Sequence, residues 1–133
     1  MPDYVVVAGE HRWRVPLSRI AQDTLRRPLR HVVDQPPAQW PHRGRMDFGR
    51  LETLVEVFAE AEQADRAVVF VTRREASTLL AWTQHQLQVH RDRGTDLGSA
   101  EGVIWRLEYM LGLRSDMPGQ ERGQPILAPR IPA

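Results

Sequence analysis

The sequence predicts an α+β fold: a small antiparallel or mixed sheet packed with three main helices, followed by an extended C-terminal arm. Three observations carry that expectation. Two β-prone runs, Tyr4–Val7 and residues 12–15, flank Gly9 near the start. Apolar residues recur at helical spacing over about 47–65, 73–92 and 99–112. Between the first two helices lies a short β-branched run, residues 67–71, bounded by charge. Past residue 113 the chain turns rich in proline and glycine, so residues 1–113 read as one domain and 114–133 as an arm, extended or disordered unless it docks.

Taken in order, the two opening runs form a hairpin with Gly9 supplying the turn. Residues 17–27 follow as a short helix capped by Ser18, with Leu17, Ile20, Ala21 and Leu25 near helical spacing, and Pro28 is expected to end it. Residues 31–33 fit either a strand or another helical turn. Pro36, Pro37, Pro41 and Gly44 make 34–46 a loop. Asp47 caps the next helix, whose stripe is Leu51, Leu54, Val55, Phe58 and Ala61. Glu52, Glu56 and Glu60, four apart, repel one another and call for water or a basic neighbour. After the 67–71 strand, Thr72 and Glu75 have the spacing of a capping box that opens the long helix. Ser99 is placed to cap the last.

Composition removes whole classes of function. The chain has 133 residues, enough for one core without staples, and no cysteine, which rules out disulfides, thiolate metal sites and cysteine nucleophiles. All eighteen basic residues are arginine, so Schiff bases and a phosphate-loop lysine are excluded. That bias fits GC-rich coding in a bacterium or its virus, and arginine also favours bidentate contacts to phosphate and carboxylate. No apolar run approaches the roughly 18 residues that span a bilayer. The opening residues lack the basic segment of an export signal, so a cytoplasmic setting without membrane contact is expected.

The helices offer candidate sites. With Leu80 at the centre of its inward face, the 73–92 helix gathers Ala76, Thr83 and Leu87 there and turns Trp82, His85 and Val89 the other way. The last helix sets Val103, Ile104, Leu107, Met110 and Leu111 against Trp105 and Tyr109. Either a second layer covers these aromatics or they face a partner, since aromatics are enriched in interface cores. Trp82, His85, Val89, Trp105 and Tyr109 are accordingly the expected partner-binding residues.

Catalytic constellations are missing from the pattern. His85 and His90 lie about 140° apart on their helix and cannot share a metal, and no other histidine pair has ligand spacing. The evenly spaced glutamates match a solvated face rather than a catalytic pair. No serine sits in a nucleophile elbow. The expectation is therefore a non-catalytic protein-interaction or assembly protein, an adaptor or a self-associating structural subunit, with no cofactor and no metal. The alternative is an arginine-dependent nucleic-acid-binding regulator. It draws on the proline-ordered loop that holds Trp40, His42, Arg43 and Arg45, beside a first third rich in arginine.

Overall fold

Gly9 adopts a positive φ of 80°, which lets the chain reverse between β1 (Tyr4–Val7) and β2 (Glu10–Pro16). The structure is a computed structural model that describes residues 4–7, 9–35, 51–95, 97–98, 100–115 and 130–132. The expected loop at 36–46, the Asp47 cap, the Ser99 cap and most of the arm lie outside the described residues.

The sheet is antiparallel throughout, with the order β1-β2-β3. Tyr4 stands opposite Trp13, and Trp13 opposite Val71 of β3 (Val68–Val71). The Leu17 N–H donates to the Ala67 carbonyl at 2.9 Å, extending the β2–β3 ladder by one rung. Every residue of β3 is buried, as its unbroken Val-Val-Phe-Val composition implies. Val15, Leu17, Val69 and Val71 join the helices in one core.

The described residues form four helices besides the sheet: α1 (Arg19–Val33), α2 (Leu51–Gln63), α3 (Arg73–Asp92) and α4 (Ala100–Met110). α2 lies against α1, β3 and α3, while α3 also touches α1 and α4. The capping box at the start of α3 is complete: Thr72 N–H donates to Glu75 Oε1 at 2.8 Å, and Glu75 N–H to Thr72 Oγ1 at 3.2 Å.

One boundary corrects the sequence reading. α1 does not stop at Pro28 but continues to Val33 with the proline inside it. Pro28 has no N–H for the Thr24 carbonyl, and its ring crowds that turn. Burial outweighs the loss, because Leu25 and Leu29 on the inner face are removed from water together. The longer α1 supplies the layer that a helical wheel drawn on α3 alone leaves out.

Ion pairs join the basic first third to the end of α2. Arg19 pairs with Asp65 and Arg26 with Glu62, and Arg26 also holds Asp23 at 2.8 Å. The Arg19 and Arg26 pairs with Asp65 and Glu62 link α1 to the end of α2, while the Asp23 pair lies within α1. Glu52, Glu56 and Glu60 face solvent.

Candidate interaction surface

The five expected partner-binding residues separate into two groups. Trp82 is 0 % exposed: its Nε1–H donates to the Leu25 carbonyl at 3.0 Å, and its ring lies tilted against His85 with centroids 5.7 Å apart. The expectation that Trp82 meets a partner is thereby corrected. The face it occupies, with Thr78 and Gln86 also buried, is covered by α1. His85 and Val89 are half-buried beside it.

α4 behaves differently. Trp105 is 37 % exposed, and Leu113 just beyond the helix is 66 % exposed. The Arg114 guanidinium lies 5.3 Å from the centroid of the Trp105 ring. One turn further on, Tyr109 is buried, and the Arg130 guanidinium stands 4.3 Å over its ring. Arg130 Nη2 also donates to the carbonyls of Arg114 and Ser115, at 3.2 and 3.3 Å. Two arginines thus stack on two aromatics spaced four residues apart on α4.

The end of α4 positions this patch. Gly112 takes a φ of 76°, Leu113 N–H donates to Glu108 O at 2.8 Å, and Gly112 N–H donates to Tyr109 O at 3.0 Å. That glycine-centred turn ends the helix and brings Arg114 back to the Trp105 ring. Trp105 and Tyr109 are two of the five candidates that the sequence offers. Leu113, Arg114 and Arg130 are not, because their contacts depend on the turn and on a segment sixteen residues further along.

A cleft lies where β2 meets the start of α3. Arg12, Trp13, Glu56 and Arg74 are among the side chains lining this volume of about 590 Å³. Arg12 reaches Glu75 at 3.5 Å and Glu10 at 3.7 Å, both long for a charged hydrogen bond. Basic and acidic groups balance here, so the cleft favours neither sign of ligand.

On α4, Arg106 is half-buried with its Nη1 shut off from water and without a hydrogen-bond partner. Burial first, and the nearby Arg14 second, lower its pKa from the usual arginine value. Trp40, His42, Arg43 and Arg45 lie outside the described residues. Among the described residues no group of three or more potential ligands could hold a metal ion, and no helix is long and apolar enough to cross a membrane.

Comparison of the chain with protein-family models, curated proteins and solved structures finds no match.

Proposed function

We propose that this chain is a non-catalytic interaction or assembly protein, an adaptor or self-associating structural subunit, whose contact surface is the outer side of α4. The observation that carries the reading is Trp105. It is a large indole left 37 % exposed and stacked by Arg114. Tryptophan and arginine are the residue types that dominate binding energy at protein interfaces, and their stacking here fixes the indole before a partner arrives. The rest of the aromatic set reads as support: Trp82 holds α3 beneath α1, and Tyr109 carries Arg130. A cysteine-free chain suits a cytoplasmic setting for this role.

Equilibrium sedimentation from micromolar to millimolar protein tests the self-associating form. The expected result is a mass that rises toward twice the monomer for the native chain and stays monomeric for Trp105→Ala. A native chain that remains monomeric throughout removes that form of the reading.

A second reading, arginine-dependent binding of nucleic acid, is favoured by one observation. Arg106 is half-buried near a second arginine, Arg14, so the two guanidiniums bring like charges together that a phosphate would neutralise. Binding of a single-stranded oligonucleotide that weakens steeply with salt, and fails in Arg106→Gln, is the expected sign. Binding that is indifferent to salt or to that substitution counts against it.

A further inference from the structure

In the cleft between β2, α2 and the start of α3, most of the charged groups are already committed to one another. Arg12 is held between Glu75 and Glu10, at 3.5 and 3.7 Å. Glu75 also accepts the Thr72 N–H in the capping box. Arg73 is turned to residues 130–132, where its Nη1 donates to the carbonyls of Ile131 and Pro132 at 3.2 and 3.3 Å. Two charged groups of the lining are left over, Glu56 from α2 and Arg74 from α3. Both are exposed, and among the described residues neither side chain has an ion pair or a hydrogen bond. After internal pairing the cleft therefore offers one carboxylate and one guanidinium, on different walls.

The third wall is aromatic. His11 and Trp13 stand two residues apart on β2, so they share one side of the strand, with ring centroids 6.0 Å apart and planes tilted by 32°. Trp13 packs against the core, and its backbone is paired on both sides, with Tyr4 and with Val71. The start of α3 is fixed by its own cap. The walls are thus set before a ligand arrives, which spares binding much of the cost of ordering them. The volume of about 590 Å³ falls within the range of about 300–1,000 Å³ common among small-molecule sites.

We propose that this cleft binds a small zwitterion carrying an aromatic ring, of the size of an amino acid or a dipeptide. Its ammonium meets Glu56, its carboxylate meets the planar fork of Arg74, and its ring lies against His11 and Trp13. Other ligand classes match the lining less well. A nucleotide brings two or more negative charges towards Glu10, Glu56 and Glu75, which repel them. A wholly apolar ligand takes Glu56 and Arg74 out of water and gives them nothing in return. Nothing in this pairing depends on Trp105 or on association of the chain.

Calorimetric titration of the full chain with the dipeptide phenylalanyl-glycine tests it, with three companion probes: the N-acetylated dipeptide, the C-terminally amidated dipeptide, and adenosine monophosphate. The free dipeptide is expected to bind with a dissociation constant of about 0.1–1 mM and to shift the Trp13 indole N–H resonance. Acetylation removes the ammonium and amidation removes the carboxylate, and each is expected to weaken binding about tenfold or more. Glu56→Gln is expected to weaken the free dipeptide by a similar factor while leaving the acetylated one unchanged, and Arg74→Gln to do the same for the amidated one. Both positions are exposed, and the probe series on the native chain needs no variant to fold. Absence of binding up to about 10 mM overturns the proposal. So does equal affinity for the free, acetylated and amidated forms, which would mean that the charge pair is not read. Tighter binding of adenosine monophosphate than of the dipeptide overturns it as well, in favour of an anion site.

Discussion

The Trp82 indole N–H donates to the Leu25 carbonyl, joining the centre of α3 to α1 in the turn that Pro28 disturbs. Pro28 leaves the Thr24 carbonyl without its helical donor, whereas the neighbouring Leu25 carbonyl stands four residues before Leu29 and receives the indole N–H as a further donor from α3. Replacing Trp82 with Phe keeps most of the apolar volume but leaves the Leu25 carbonyl short of that partner. Urea unfolding is expected to show a loss of about 1–3 kcal/mol, with α1 helicity reduced in far-ultraviolet circular dichroism. An unchanged midpoint would show that the bond carries no stability.

Exposure along α4 and α3 has an optical consequence. In variants that keep a single tryptophan, Trp105 fluorescence is expected to be strongly quenched by acrylamide in dilute protein, and Trp82 fluorescence barely. If quenching of Trp105 falls as protein concentration rises, its indole is being covered by another molecule.

The capping box at Thr72 was fully legible from spacing alone, and it makes a quantitative expectation. Thr72→Ala removes the acceptor for the Glu75 N–H and is expected to cost about 0.5–2 kcal/mol in denaturant unfolding, with Thr72→Ser restoring most of it.

Helix α1 supplies a contrast within a few residues. Ile20 is 81 % exposed although it falls in the apolar spacing of the sequence, whereas Leu29, beyond the proline, is fully buried. Ile20→Ser is expected to shift stability by no more than about 0.5 kcal/mol, and Leu29→Ala to cost about 2–5 kcal/mol. Thermal or urea unfolding of the pair tests directly whether α1 extends past Pro28.

Arg106 gives an expectation with a definite sign. Its pKa is lowered in the fold, so below the folded value the charged side chain weakens the native state through burial and repulsion from Arg14. That penalty is present at neutral pH. It is relieved only as pH rises through the lowered folded value toward the unfolded one, because in that window the unfolded chain holds the extra proton. Arg106→Gln is accordingly expected to raise the urea midpoint at pH 7, or leave it unchanged. A clear fall would mean that Arg106 contributes packing that outweighs its charge.

How far the sequence could be read depended on where each signal came from. Local chemistry was legible: the hairpin around Gly9, the buried Val-Val-Phe-Val strand and the α3 cap all follow from neighbours a few residues apart. Signals that depend on distant segments were not. Pro28 reads as a stop because the burial of Leu29 and the Trp82 bond come from outside α1. The outward angle of Trp82 on α3 was correct as geometry, but a helical wheel cannot distinguish solvent from a second layer. Tyr109 shows the same limit, since its cover is Arg130, part of a segment read mainly as loose. Trp105 and Tyr109 were found as candidates, while Leu113, Arg114 and the balanced charges of the β2–α3 cleft had no periodic pattern to announce them.

The central place of β2 sets an order of events during synthesis. A two-stranded ribbon is barely stable in water, and the third strand that completes this sheet follows only after two helices have been made. At about 5–20 residues per second on the ribosome, the opening hairpin waits for several seconds with one edge of β2 unsatisfied. The alternation of Glu10, Arg12 and Arg14 along that strand supplies charge to its second face, a safeguard against premature pairing between nascent chains.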